Sequence, residues 1–258
     1  MIIPIFKTHY SIGKSILSIA PESTSEASGP DSVIDIAKEN GIKDLFLVED
    51  SFMGFLEAKS ACEASGINFI FAISLNICSN LNDVQEGDKN IPSHKVNIFS
   101  KSSEGCQILY KIYTEYNCDH NSIIDLSSLK EHWDEDHLSM AIPFYDSFIF
   151  KNLFSFDIFC PNFSDFNPVF FIEEKSLPYD FFLADAVEAY TQSNNFKTQK
   201  THSIYYKNRD DFDAFVSYKL ICSRGSYGGF KSSLEKPNLD HMSSDQFSFE
   251  SYLQKCEN

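Results

Sequence analysis

Short apolar runs alternate with amphipathic stretches along most of this chain, and this alternation predicts its secondary structure. Predicted strands lie at residues 2–6, 44–48, 68–77, 96–99, 138–142, 169–172 and 203–205. Because helical patterns separate most of these runs, we expect repeated βα units that form a parallel sheet with helices outside it. The first four of these strands are expected to be parallel neighbours.

The predicted helices carry recognisable signals at their ends. Asp31 is expected to cap the first helix, Asp125 a short helix in the middle of the chain, and Gly66 to end the second helix. The helices are predicted at residues 33–38, 53–65, 102–116, 126–129, 179–192 and 209–223. Residues 79–92 read as a polar loop, and residues 144–167 have no clear period. No shift in composition divides the chain, so we expect one domain over residues 1–258.

Composition and charge exclude several classes of protein. A chain of 258 residues can bury a core without a disulfide or a metal. Its net charge of −16 would repel phosphates, so tight direct binding to nucleic acid is not expected. The seven cysteines include no CxxC pair, which argues against zinc motifs and disulfides and favours a cytoplasmic protein. No apolar run reaches transmembrane length and no signal peptide is evident, so no membrane partner is expected.

A polar cluster follows the first predicted strand and contains Lys7, His9 and Lys14. The carboxyl ends of barrel strands are where α/β barrels place their chemistry. A metalloenzyme would have several histidine and carboxylate ligands at such a strand end. Two lysines at this position therefore indicate a site scaffold without ordinary metal chemistry.

Six segments, in order and at family-like spacing, resemble motifs of the PHP (polymerase and histidinol phosphatase) domain of bacterial DNA polymerase III alpha subunits. They are KTHYS at residues 7–11, LVED with GFLE at 47–57, SGINFIFA at 65–72, HKVNIF with SEG at 94–105, YKNRDD at 206–211 and MSSDQF at 242–247. Together they span nearly the whole chain. Each motif is weak alone, and it is their order that carries the resemblance.

The resemblance implies an α/β fold of a particular type, a distorted (β/α)7 TIM-like barrel. In active members, zinc or manganese ions at the carboxyl ends of the strands hydrolyse phosphoesters, held by His, Asp and Glu side chains. In this chain the corresponding positions fall on Lys7, His9, Lys14, Glu49, Asp50, Ser74, His94, residues 143–145, Ser203 and Tyr205. Of these, His9, His94 and, depending on the placement of a short gap, Asp50 keep ligand chemistry.

These departures predict a cavity at the strand ends without a metal cofactor. We expect Lys7 and Lys14 to replace the charge of the metal and to pair with Glu49 or Asp50, with solvation of both lysines as the alternative. His9 is expected to be a hydrogen-bonded structural residue.

For three further features we expect a structural role and not a functional one. His94, like His9, is expected to be a hydrogen-bonded structural residue. A string of acids with His132 and His137 is read as a polar loop, and the glycine-rich residues 225–229 are read as a turn.

Three functions follow from this reading. The first is a non-catalytic or weakly active PHP-like domain that acts as an accessory or structural partner of a DNA polymerase or another replication protein. The second is a metal-dependent phosphoesterase that holds zinc or manganese with the atypical set His9, Asp50 and His94. The third is a small-molecule binder that holds phosphate or another anion at its lysines.

Overall fold

The computed structural model describes residues 1–19, 29–83, 91–118, 122–155, 158–173, 177–223, 242 and 244–257. Its strands are β1 (Ile3–Phe6), β2 (Asp44–Glu49), β3 (Asn68–Ile77), β4 (His94–Ser100), β5 (Leu138–Ile142), β6 (Val169–Glu173) and β7 (Lys197–Ile204). Its helices are α1 (Val33–Glu39), α2 (Phe55–Ser65), α3 (Ser103–Cys118), α4 (Leu126–Glu131), α5 (Phe148–Phe150), α6 (Asp180–Asn194), α7 (Phe212–Cys222) and α8 (Phe249–Glu257). The predicted turn at residues 225–229 lies outside the described residues.

The seven strands form a closed barrel in the order β1 to β7. This confirms the expected α/β fold with a TIM-like barrel. The assignment to the PHP type of barrel stays a prediction.

The direction of the fourth strand differs from our expectation, which was wrong at this point. β4 pairs antiparallel with both β3 and β5, whereas β1 and β2, β1 and β7, and β5 and β6 are parallel pairs. A parallel return requires a crossover of about a dozen residues or more, usually a helix. The described part of the connection between β3 and β4 contains only a short 3₁₀ turn, Leu81–Asp83, so the chain returns beside β3 in the opposite direction.

Residue contacts divide the chain into two compact units. The first unit comprises Met1–Phe71 and Thr201–Asn258, and the second comprises Ala72–Lys200. Both boundaries fall inside strands, β3 and β7, and neither coincides with a change in composition. The expectation of a single domain stays a prediction.

In the first unit, β1 lies between β2 and β7. Ile5 pairs with Phe46 on one side and with Ser203 on the other. Ser32, not Asp31, caps α1: its hydroxyl accepts a hydrogen bond from the backbone N–H of Asp35 at 3.2 Å. The same hydroxyl donates to a backbone carbonyl of residue 19 at 2.9 Å, and this tertiary bond favours the serine over the neighbouring aspartate.

In the second unit, Asp125 caps α4 as predicted, with its carboxylate accepting from the N–H of Ser128 at 2.8 Å. Residues 144–167, which have no clear period, contain only α5 and a π-helical turn, Lys151–Ser155. Many phenylalanines of this unit are buried, and Phe144, Phe163 and Phe170 are among the most completely buried. No helix among the described residues has the length and apolar character needed to cross a membrane.

Candidate functional site

The segment after β1 folds back over the ends of two strands of the first unit. The backbone N–H of Ile16 donates to the carbonyl of Tyr205 at 3.1 Å, and that of His9 donates to the carbonyl of Leu17 at 2.8 Å. The Ser15 hydroxyl lies within hydrogen-bonding distance of two backbone carbonyls, those of residue 7 at 2.7 Å and residue 205 at 2.8 Å. These bonds fix the segment that carries both site lysines.

Lys7 and Lys14 both pair with one carboxylate, that of Asp50. The Lys7 ammonium lies 3.3 Å from Oδ1, and the Lys14 ammonium lies 2.7 Å from Oδ2. Lys7 also donates to the backbone carbonyl of Val48 at 2.9 Å. The three side chains are only 15%, 31% and 26% exposed for Lys7, Lys14 and Asp50, so solvent screens these pairs less than it screens surface pairs. The lysines therefore supply two fixed positive charges at the end of β2.

Glu49 precedes Asp50 but faces the interior, where hydroxyl groups surround its carboxylate. It is 1% exposed. The backbone N–H of Thr8 donates to Oε1 at 2.8 Å and the Thr8 hydroxyl donates to the same oxygen at 2.6 Å. The Ser11 hydroxyl donates to Oε2. Burial raises the pKa of Glu49, while the charge of Lys7 and the hydrogen bonds from Ser11 and Thr8 oppose that rise.

His9 lies on the surface of the first unit. Its Nδ1 is 3.2 Å from the carbonyl oxygen of Leu17, and its ring lies 4.2 Å from that of Tyr10. Tyr10 in turn donates to Glu57 at 2.7 Å, and this bond is the main reason that the pKa of Tyr10 is raised. The bond to the Leu17 carbonyl gives His9 a structural role in holding the segment after β1.

The two site residues near the end of β7 lie in different surroundings. Ser203 is half-buried in the ladder opposite Ile5. The ring of Tyr205 is buried and stacks on the rings of Phe215 and Phe247. Tyr205 is therefore a core residue that ring packing holds in place.

Ser74 and His94 belong to the second unit. Ser74 is buried in β3 opposite Asn97 of β4. His94 is 2% exposed, and the rings of Phe148 and Phe159 meet it edge to face at 5.8 and 5.1 Å. Burial lowers the pKa of His94 to about 4, so its imidazole is neutral at neutral pH.

The donor sets show a poor fit to a metal ion. Among the described residues, no three His, Cys, Asp or Glu side chains group in a way that could hold one. Asp50, the carboxylate of the atypical ligand set, already accepts from two ammonium groups that would repel a dication. His132 and His137 of the acidic string hydrogen-bond instead with Glu115 and Ser102, both at 2.8 Å.

Sequence reasoning missed the hydroxyl groups that surround Glu49. Thr8 and Ser11 lie between the residues singled out as Lys7, His9 and Lys14, but hydroxyl side chains carry no signal of their own in a loop. The useful signal is the acid that directly follows the apolar run of β2, because a residue that continues a buried strand tends to be buried with it. A buried acid requires donors, and Thr8 and Ser11 supply them.

A second buried acidic cluster, in the second unit, was also missed. The Tyr145 hydroxyl donates to Oδ2 of Asp180 at 2.9 Å, and the N–H of Leu177 donates to the same oxygen at 2.8 Å. Burial, with the nearby charges of Glu173 and Asp180, raises the pKa of Tyr145 well above its ordinary value. Glu173 ends β6 as Glu49 ends β2, so an acid at the end of an apolar run is the signal shared by both clusters.

A scan of the chain against protein-family models finds no match, and a search of curated proteins finds none either. The resemblance to the PHP domain therefore stays a prediction that is based on the six sequence segments.

Proposed function

We propose that this chain is a PHP-like domain in which lysines replace the catalytic metal centre, and that it acts as a non-catalytic structural partner of a replicative DNA polymerase. The observation that carries the proposal is the pairing of Asp50 with both Lys7 and Lys14. The resemblance assigns the two lysine positions to metal ligands, and here they carry ammonium groups.

The electrostatics of this arrangement oppose a divalent cation. A metal ion at Asp50 would need the lone pairs of a carboxylate whose two oxygens each already have an ammonium partner. In a partly buried site, two unit charges of the same sign that lie about 4 Å apart repel each other by about 4 kcal/mol. A dication beside Lys7 and Lys14 would meet repulsion of that order from each lysine.

The partner role follows from the resemblance together with the charge of the chain. In polymerases that carry a PHP domain, the domain is thought to support the polymerase body and sometimes to contact the proofreading exonuclease. A net charge of −16 favours a protein partner with basic surface over direct contact with DNA. The expected partner is therefore the polymerase itself.

Metal content and hydrolysis test the first half of the proposal. The chain would be purified without chelators or a metal-binding tag, analysed for zinc and manganese, and assayed with bis(p-nitrophenyl) phosphate and added manganese. We expect far less than one metal ion per chain and hydrolysis at background. Stoichiometric metal, with hydrolysis that is lost in His9→Ala, would establish the phosphoesterase instead.

A gain-of-binding variant tests the role of the lysines directly. Lys7→His combined with Lys14→Asp removes both ammonium groups and adds two metal-ligating side chains, so we expect tighter zinc binding than in the wild type. Lys43→His with Lys38→Asp makes the same change of charge at two exposed positions and should leave zinc binding unchanged. Equal zinc binding by both double variants would show that the lysines do not oppose a metal.

Binding to the replicative polymerase encoded by the same genome tests the second half. Sedimentation velocity with the purified polymerase should show a complex, and the same chain mixed with duplex DNA alone should sediment as the free protein. A chain that binds DNA but not the polymerase would refute the partner role.

A further inference from the structure

Four exposed apolar side chains of the second unit belong to two elements that touch. Leu153 and Phe154 are exposed in the π-helical turn, and Phe181 and Phe182 are 68% and 66% exposed in the first turn of α6. The ring of Tyr179, just before α6, lies 4.9 Å from the ring of Phe154 and so connects the two elements. Single exposed apolar side chains are common on protein surfaces, whereas a group of them marks an interaction site.

Two acids of α6 continue this surface along the helix. Asp185 and Glu188 follow Phe181 by four and seven residues, a spacing that places all three on one helical face. Both acids are exposed, and neither forms an ion pair with any residue that the structure describes. Since Asp180–Asn194 contains no lysine, arginine or histidine, the exposed face of α6 passes from aromatic to acidic without a compensating charge of its own.

The charge of this face decides which kind of partner fits it. A second copy of the chain would carry a net charge of −16 toward Asp185 and Glu188, which opposes self-association. Nucleic acid and anionic lipid are repelled for the same reason. A protein segment with both apolar and basic side chains complements the rings and the carboxylates together.

We propose that the exposed face of α6 binds a segment of a partner protein that is both basic and apolar. Apolar side chains of the segment pack on Phe181 and Phe182, and its lysines or arginines pair with Asp185 and Glu188. A helix rises by about 1.5 Å per residue, so the two acids lie about 6 and 10 Å along the axis from Phe181, and the partner presents its basic groups at matching distances from its apolar anchors. The proposal goes beyond the proposed function and does not rest on it, because it requires neither the lysine site nor the polymerase.

Selection from a phage library of random peptides, each about as long as α6, tests the proposal without a known partner. The full-length wild type is the target, and the double variant Phe181→Ser, Phe182→Ser is the counter-selection target. Because both side chains are exposed, we expect this variant to keep the urea midpoint of the wild type. Peptides that bind the wild type alone should be enriched in apolar residues and also in lysine and arginine.

A second selection controls for exposed apolar side chains in general. The double variant Leu56→Ser, Ile221→Ser removes two such side chains from helices of the first unit. When this variant replaces the first one as the counter-selection target, the selection should yield far fewer peptides that are specific for the wild type.

The acids are tested with one synthetic peptide from the first selection, whose binding is followed by fluorescence polarisation. The double variant Asp185→Asn, Glu188→Gln should raise its Kd by about threefold to tenfold at low salt, and by less at high salt, because salt screens exposed charge pairs. The control variant Glu131→Gln, Asp213→Asn removes the same charge at two other exposed positions and should bind the peptide like the wild type.

Three results would overturn the proposal. Equal yields from the two selections would show that the exposed face of α6 binds no peptide segment of its own. Selected peptides without an excess of lysine and arginine, or a Kd that Asp185→Asn with Glu188→Gln leaves unchanged, would refute the argument from charge. A wild-type dimer in sedimentation velocity that dissociates in Phe181→Ser, Phe182→Ser would show that a second copy of the chain covers this face instead.

Discussion

Replacing Lys7 by methionine is the sharpest test of the ion-pair network, because methionine keeps the apolar stem and removes only the ammonium group. The lost contacts are a hydrogen bond to the Val48 carbonyl at 2.9 Å and the pair with Asp50 at 3.3 Å. Loss of a part-buried charged donor costs about 1–3 kcal/mol. Since Lys14 stays 2.7 Å from Asp50, the carboxylate is not left alone, and we expect about 2 kcal/mol of destabilisation.

Because two lysines share Asp50, the coupling energy between Lys7 and Asp50 should depend on whether Lys14 is present, which would not hold for an isolated ion pair. In the wild-type background, the double-mutant cycle of Lys7→Met and Asp50→Asn should give a coupling of about 0.5–1 kcal/mol, because Lys14 still compensates Asp50. In a Lys14→Met background, Asp50 depends on Lys7 alone, so the same cycle should give a larger coupling. The increase between backgrounds is the signature of a shared carboxylate.

The assay is urea denaturation followed by circular dichroism. The single tryptophan, Trp133, lies in the second unit, so its fluorescence is not the readout of choice for this site. Lys43→Met, at an exposed position, is the control and should change stability by no more than about 0.5 kcal/mol. Additive effects in both backgrounds, or equal effects of Lys7→Met and Lys43→Met, would refute the reasoning.

Two further predictions concern buried histidines and a glycine. Burial lowers the pKa of His94 to about 4 and of His202 to about 3, so below pH 6.5 protons bind the unfolded state preferentially and stability falls with falling pH. At pH 5, each histidine should lower the free energy of unfolding by about 2 kcal/mol relative to neutral pH. In urea denaturation at several pH values, the double variant His94→Phe, His202→Phe should therefore show a flatter pH dependence of stability than the wild type. Gly54→Ala should cost about 2–3 kcal/mol in thermal melts, because its φ is +77° and the added Cβ would lie 2.3 Å from the Tyr10 ring. Gly66→Ala, at φ +66° in open space, should cost about 1 kcal/mol, and equal losses would contradict the packing argument.

The sequence allowed prediction of elements whose signals are local. The strand over residues 68–77 has the predicted bounds, Gly66 adopts the left-handed conformation that its role as a cap requires, and Asp125 caps the predicted short helix. In each case the decisive interaction lies within a few residues of the signal.

Features decided by tertiary contacts were missed. β7 begins at Lys197, six residues before the predicted strand, because its polar first half gives no apolar alternation. The direction of β4 depends on how the preceding connection returns, which periodicity does not encode. The pairing of both lysines with Asp50, and not with Glu49, depends on which of two adjacent acids faces inward.

This last choice shows how two neighbouring carboxylates can both be satisfied by side chains of the protein. Glu49, the last residue of β2, faces the interior, whereas Asp50, just past the strand, meets the lysines, so the two charges meet different kinds of donor. The inner carboxylate is stabilised by hydroxyl and N–H groups, which need little space, and the outer one by ammonium groups, which need access to solvent.

Ser11 joins the two arrangements, because its hydroxyl donates to Glu49 and accepts from the backbone N–H of Asp50 at 3.0 Å. The segment after β1 thus supplies the partners of both acids: Lys7 and Lys14 for one, Thr8 and Ser11 for the other. Substitution of a single partner would leave an acid short of donors, whereas the complete set satisfies both. The segment is therefore best understood as one unit that compensates the end of β2, and this is why a metal site at these acids would require several changes within the segment at once.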